Sequence, residues 1–235
     1  MLTQLINRCS VVVKEEGLLG ALGKLSPIVK RVFRRSNQDV FDAALNVETS
    51  AEIPLWRLPI ASPNAKFGTH YQTTAPSVFL DAIGMVPGDR RNFTFVDLGS
   101  GKGRTLILAA KHGFKRVVGV EFSPDLAAIA RKNVEQLEIL AEIVVMDASH
   151  FRFPDDNLVI YMYNPFGRSV VSSVVDNIIQ WHAQSGKFAF VVYVNPTCYS
   201  AFDYFQEFRP VVNEGSVRVW CIGSILESKP QGTGA

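Results

Sequence analysis

At 235 residues, with 47% of them hydrophobic, the chain can bury a full core as one large domain or one domain with a small extension. Its formal net charge of +2 is too small to imply a nucleic-acid partner. The three cysteines (Cys9, Cys198, Cys221) are odd in number and far apart, which argues against a disulfide framework, and no Cys or His spacing matches a metal site.

The N-terminus reads as two amphipathic helices. Leu2, Leu5, Ile6, Cys9, Val12 and Val13 fall on one stripe at helical spacing, and a second short helix is expected over Ser26–Phe33. The apolar run Val11-Val12-Val13 is broken by Lys14-Glu15-Glu16, so no secretory signal is expected. No stretch approaches about 18 apolar residues, so no membrane span is expected and a cytoplasmic location is the default. Between Lys24 and Arg35 every charged residue is basic. That pattern fits a weak membrane-surface contact, or a solvated helix face packed on the main domain.

Residues 36–69 lack periodicity and read as a connector, with turn chemistry at Ser62-Pro63-Asn64. Thr74 is expected to cap a helix that holds Pro76 in its first turn and stops near Gly84. From there strands and helices alternate. Strands are predicted at Phe93–Leu98, Arg116–Phe122, Glu142–Met146, Leu158–Tyr163 and Phe188–Val194. Helices are predicted at Arg104–Lys111, with Gly113 as its C-terminal stop, after the Ser123-Pro124-Asp125 start signal, over Val170–His182, and over Tyr199–Phe208. Val211-Val212 and Val217–Ile222, joined by Asn213-Glu214-Gly215, form an antiparallel hairpin. This order predicts an α/β fold: a doubly wound open sheet of about seven strands, mostly parallel with the last strand antiparallel. The expected organisation is an N-terminal helical extension and connector over 1–65, a ligand-binding domain over 66–228 and a flexible tail over 229–235.

In such a sheet the ligand lies at the carboxyl ends of the strands. The residues Asp97, Glu121, Asp147 and Asn164 all fall there. The first strand turns through Gly99-Ser100-Gly101-Lys102-Gly103, as a nucleotide-type cradle does. A dinucleotide fingerprint needs GxGxxG, but Arg104 occupies its last glycine position. Asp97 beside the loop repels a pyrophosphate and suits a ligand amino group.

On these residues the chain resembles the class I S-adenosylmethionine-dependent methyltransferases, over roughly residues 70–225. Val96-Asp97-Leu98-Gly99-Ser100-Gly101-Lys102-Gly103 is similar to their first motif, Gly119-Val120-Glu121-Phe122 to the second and Met146-Asp147-Ala148 to the third. Tyr163-Asn164-Pro165-Phe166 stands where that family places its catalytic loop, although the amino-group enzymes carry one more proline. Tyr71-Gln72-Thr73-Thr74 resembles the Tyr-x-Pro-Thr element of lysine methyltransferases outside the SET class, with Thr73 at the proline position.

The resemblance implies a Rossmann-like methyltransferase fold of a bacterial-type branch with S-adenosylmethionine as cofactor. Gly99, Ser100, Gly101 and Gly103 would carry the cofactor's methionyl part, with Asp97 near its amino group. Glu121 would accept from the ribose hydroxyls, Phe122 would flank the adenine, and Asp147 with Ala148 would hold its exocyclic amine. Tyr71 and Thr74 are expected in a lid over the cofactor, and Asn164 is expected to contact the cofactor from the catalytic loop. The catalytic candidates are Asn164, Pro165, Phe166 and Tyr71. Three plainer readings stay open: Asp147 as the cap of Ser149-His150-Phe151, Glu121 as a surface ion-pair member, and Asn164-Pro165-Phe166 as a simple turn. The expected reaction is methyl transfer to an acceptor, an amine of a protein lysine or small molecule, with no nucleic-acid partner. A non-catalytic cofactor-binding module and a nicotinamide-dependent oxidoreductase are the competing readings.

Overall fold

The computed structural model describes residues 40–50, 53, 72–213 and 215–223. The expected N-terminal amphipathic helices, their basic face, Tyr71 and the C-terminal tail lie outside these residues. The chain divides into two compact units, Met1–Ala44 and Leu45–Ala235. In the first, residues 40–44 are helical.

The second unit is built on a seven-stranded sheet of order β3-β2-β1-β4-β5-β7-β6. The strands are β1 (Thr94–Leu98), β2 (Arg116–Glu121), β3 (Glu142–Val145), β4 (Leu158–Tyr163), β5 (Ala189–Val194), β6 (Phe208–Val212) and β7 (Val217–Ile222). The first five pair in parallel, and β7 pairs antiparallel with both β5 and β6. The order reverses between β1 and β4, which opens a crevice at their carboxyl ends.

Burial explains the strand sequences. Every residue of β1 and β5 is buried, as expected for central parallel strands covered on both faces. The edge strand β6 is mostly exposed and carries Pro210, with a register break between Pro210 and Val212. Proline donates no ladder hydrogen bond, so an edge is where a sheet tolerates it.

The helices are α1 (Pro76–Gly84), α2 (Arg104–Lys111), α3 (Pro124–Gln136), α4 (Arg168–Ser185) and the single turn α5 (Ser200–Asp203). One face of the sheet packs through aromatic rings. Phe79 of α1 meets Phe95 and Tyr161 at centroid distances of 5.8 and 5.6 Å. The other face buries Val96, Leu98, Ile160 and Met162 against Val171, Val174, Val175 and Ile178 of α4. The start of α3 matches its sequence signal: Ser123 Oγ accepts from the Leu126 N–H, and Pro124 opens the helix.

Two expectations need correction. Thr74 does not cap α1; Ala75 precedes the helix without a side-chain cap, and Thr74 is buried on the cavity wall instead. The helix expected over Tyr199–Phe208 stops at Asp203, because Phe208 already begins β6. Phe208 meets Phe202 edge-on at 5.2 Å, Phe202 stacks on Trp220, and this packing outweighs any local helical preference. Among the described residues no helix is long and apolar enough to cross a membrane.

Candidate active site

A cavity of about 400 Å³ lies at the carboxyl ends of the central strands. Its walls include Asp97, Gly99, Ser100, Glu121, Phe122, Asn164, Pro165 and Phe166, together with Thr74. These come from β1, β2, β4, the loops after them, and the segment before α1. A smaller adjoining recess is lined by Met146, Asp147 and Ala148, and shares Gly99, Phe122 and Phe166 with the main cavity. All the described candidates except Gly101 and Gly103 therefore face one continuous space.

Those two glycines act from behind. Gly103 precedes α2 with φ +84°, a left-handed conformation that side chains disfavour. A Cβ there would also come within 3.2 Å of the Ala130 Cβ. The Gly101 N–H donates to Glu121 Oε2 at 2.8 Å. Gly99, also left-handed at φ +86°, lies directly beneath the loop after β4, and a Cβ would approach the Pro165 Cβ to 2.7 Å.

The loop amides are already committed. The Gly99 and Ser100 N–H groups donate to the Val120 carbonyl at 2.8 and 3.1 Å, and the Gly103 N–H donates to the Ser100 carbonyl. A phosphate cradle offers such donors to its ligand. Here they hold the loop to β2, which speaks against a pyrophosphate.

The electrostatics point the same way. Asp97 and Glu121 are each 3% exposed. Burial pushes the Asp97 carboxyl up to about 7, opposed by the hydroxyl bond from Thr105 and reinforced by the nearby Glu121. Burial likewise pushes Glu121 up to about 7, although it accepts from the Ser123 and Gly101 N–H groups. Two buried carboxylates in one cavity favour a cationic ligand. One buried cation, Arg104, lines the same space. Among the described residues, the Ser100 and Tyr161 hydroxyls are also buried on this wall without a hydrogen-bond partner. Buried polar groups left this way are groups that a ligand can satisfy.

Asn164 and Asn195 form a matched pair. Each follows the last residue of its strand, and those strand ends, Tyr163 and Val194, are partners in the β4–β5 ladder. Each has a left-handed backbone, at φ +40° and +48°, and each precedes a proline. Both line the cavity. Asn164 Oδ1 accepts from the Thr197 hydroxyl at 2.6 Å and from the Tyr193 hydroxyl at 3.3 Å. Asp147 Oδ1 accepts from the Ser149 N–H and hydroxyl, so Asp147 caps the short 3-10 turn Ala148–His150 while facing the recess.

Several lining residues escaped the sequence reading. Thr105 and Tyr161 bracket Asp97, from α2 and from the adjacent strand position. Arg104 was visible only as a break in the dinucleotide pattern. Asn195 had a signal, since Asn195-Pro196 repeats Asn164-Pro165 after the next strand.

The cavity thus offers two buried carboxylates, one guanidinium, the Ser100 and Tyr161 hydroxyls and the rings of Phe122 and Phe166. This set fits S-adenosylmethionine, whose ammonium and sulfonium outnumber its carboxylate by one charge and whose adenine is flat.

Residues 95–186 match the family described as "Methyltransferase domain". The chain is 36% identical over 77 residues to the ribosomal protein L11 methyltransferase of Geobacter metallireducens, covering 33% of this chain and 24% of that relative. It therefore spans about a quarter of the length of the curated relative it matches. Similar solved structures include the ribosomal protein L11 methylase of Lactobacillus delbrueckii subsp. bulgaricus, at 17% identity and TM-score 0.41, over 63% of this chain and 76% of that one. Another is a putative S-adenosyl-L-methionine-dependent methyltransferase of Methanococcus maripaludis, at 16% identity and TM-score 0.49, over 63% of this chain and 85% of that one. With its strand order, its glycine loop and the acids beside that loop, the chain resembles the class I S-adenosylmethionine-dependent methyltransferases, and its residues 95–186 carry the match to the methyltransferase domain.

Proposed function

We propose that the protein transfers a methyl group from S-adenosylmethionine to an amine nitrogen of a protein or small-molecule acceptor. The observation that carries this reading is the shared cavity, in which Tyr163, Asn164, Pro165 and Phe166 face the same space as Asp97 and Glu121. The bound cofactor supplies a methyl group on a positively charged sulfur, open to in-line displacement by a lone pair.

The chain's residues bind and orient. Asp97 takes the cofactor's ammonium, Glu121 its ribose hydroxyls and Asp147, beside Ala148, its exocyclic amine. Phe122 flanks the adenine. Gly99 lets the loop after β4 seat against the glycine turn, since a Cβ there would stand 2.7 Å from the Pro165 Cβ. Thr74, on the cavity wall, belongs to the segment that covers the cofactor.

Among the described residues, the main cavity's lining beyond the two acids and Arg104 is uncharged. Gln72 and Asn195 are exposed lining residues and mark where the cavity meets solvent, and Tyr163 and Asn164 are half-buried behind them. Amides and phenols can align a neutral amine by hydrogen bonding without protonating it, and a protonated amine has no lone pair to give. The faces of Phe166 and Tyr163 favour the positive charge that develops on nitrogen. Asn164 Oδ1 accepts from the Thr197 and Tyr193 hydroxyls, which fixes the orientation of its amide at the cavity wall.

The test is transfer of a radiolabelled methyl group into a cell extract, followed by protease, ribonuclease and mild alkali. Label that survives alkali and ribonuclease supports a nitrogen on a protein or small molecule. Release of labelled methanol, or label confined to nucleotides, overturns the amine assignment while leaving the cofactor reading intact.

A further inference from the structure

Residues 46–50 precede the matched methyltransferase domain, yet they are bonded to its glycine loop and to the start of α2. Glu48 Oε1 pairs with Lys102 Nζ at 2.8 Å, and the Lys102 side chain is fully buried. Thr49, itself fully buried, accepts at Oγ1 from Arg104 Nε at 2.6 Å. The Thr49 carbonyl accepts from the Thr73 hydroxyl at 2.6 Å. Asn133 of α3 closes the arrangement with a bidentate amide. Its Oδ1 accepts from the Glu48 N–H at 3.1 Å, and its Nδ2 donates to the Glu48 carbonyl at 3.0 Å and to the Lys102 carbonyl at 2.9 Å. Gln136 adds a bond to the Asn46 carbonyl.

Two of these anchors, Arg104 and Thr73, line the main cavity; Gln72 and Thr74, on either side of Thr73, line it too. Thr49 does not line the cavity, yet it is bonded to both anchors. A long arginine side chain loses considerable rotamer freedom when ordered, and a buried guanidinium needs fixed acceptors. A single threonine that bonds Arg104 through its hydroxyl and Thr73 through its carbonyl sets both in one geometry before any ligand arrives.

We propose that residues 46–50 are a clasp that sets cofactor affinity, with Thr49 as the positioning residue that holds Arg104 and the Gln72–Thr74 segment against the cavity. The inference rests on the cofactor reading above. It assigns part of the cofactor site's order to chain outside the recognised domain. Glu48 contributes from an exposed position, by pinning the backbone of the clasp to the loop through Lys102.

The experiment is calorimetric titration of the full chain with S-adenosylhomocysteine, the demethylated cofactor, alongside ligand-free thermal melting. Thr49→Val is expected to weaken binding at least tenfold, Thr49→Ser to restore it to within about threefold of the parent, and Glu48→Ala to weaken it about threefold to fivefold. Hydrogen exchange of the residue 72–75 amides should quicken in Thr49→Val and Glu48→Ala and stay slow in Thr49→Ser. If Thr49→Val fails to fold, the exposed-site variant Glu48→Ala and its exchange pattern decide the matter. Parent-like affinity and exchange in the folded variants overturn the clasp. Failure of the parent protein itself to bind S-adenosylhomocysteine overturns the cofactor reading instead.

Discussion

Gly101 and Glu121 are joined by a 2.8 Å hydrogen bond from the loop N–H to the carboxylate Oε2, so the acid at the end of β2 braces the glycine loop as well as facing the cavity. Its other oxygen accepts from the Ser123 N–H. Removing the side chain leaves two buried amide donors unmet, each costing about 1–3 kcal/mol. Glu121→Ala is therefore expected to lower the melting midpoint and to weaken cofactor binding at least tenfold. Glu121→Gln keeps an acceptor oxygen and should lose less of both. Calorimetry and thermal melting of the two variants check this, and equal behaviour of Ala and Gln would contradict the brace.

Asp97 and Glu121 give a pH dependence with a definite sign. Both carboxyls are raised to about 7 in the folded protein, from 3.8 and 4.5. Below about pH 4 both states are protonated and neither acid costs anything. Between there and 7 the folded state holds more protons than the unfolded one, so ligand-free stability falls as pH rises. Above 7 the cost is complete and the dependence levels off. A cationic cofactor prefers the ionised acids, so its affinity should rise through the same window, by up to about tenfold per pH unit for each acid. Titrations at pH 6.5 in buffers of different ionisation heats should show proton release on binding. Proton uptake, or none, contradicts the assignment of these acids to the cationic ligand.

Much of this was legible because the local and the global signals agree. The run Thr94-Phe95-Val96-Asp97-Leu98 into Gly99 reads as a buried strand ending in a turn, and Ser123-Pro124-Asp125 reads as a helix start; the structure has both. The Asp97, Glu121, Asn164 and Phe166 positions follow from strand ends alone, which is why the sequence brings them to one cavity. Other parts were not legible because tertiary contacts decide them. Nothing near Thr49 indicates that it meets Arg104, since 55 positions separate them. Tyr161 looks like any strand tyrosine until the β1–β4 register sets it beside Asp97. The Tyr199–Phe208 stretch looks helical, but its last residue is claimed by a sheet edge.

Gly99 is the position where substitution should be least tolerated. Its backbone is left-handed, which costs a side-chain-bearing residue about 1–2 kcal/mol. An added Cβ would stand 2.7 Å from the Pro165 Cβ, well inside normal contact, and overpacking of this kind costs about 1–3 kcal/mol. Gly99→Ala is expected to lower the melting midpoint by roughly 5–15 °C and to displace the Asn164–Phe166 loop. Thermal melting and methyl-transfer rates check this. Unchanged melting would mean that the loop after β4 is not pressed against the glycine.

Asp97→Asn separates stability from function. The carboxyl is raised by burial, so at pH 8 its ionised form opposes folding. Asparagine has nearly the same shape, removes the buried charge and can still accept from the Thr105 hydroxyl through its amide oxygen. The ligand-free variant should therefore melt a few degrees higher than the parent at pH 8 and by a smaller margin at pH 5, where only the part of the cost between 3.8 and pH 5 has accrued. The same change removes the charge assigned to the cofactor's ammonium, so the stabilisation that S-adenosylmethionine gives the parent should be lost. Melting curves of both proteins at the two pH values, with and without the cofactor, read all of these effects. A variant that melts lower at pH 8, or keeps the full cofactor-induced shift, would show that Asp97 is a structural acid rather than the cationic ligand's partner.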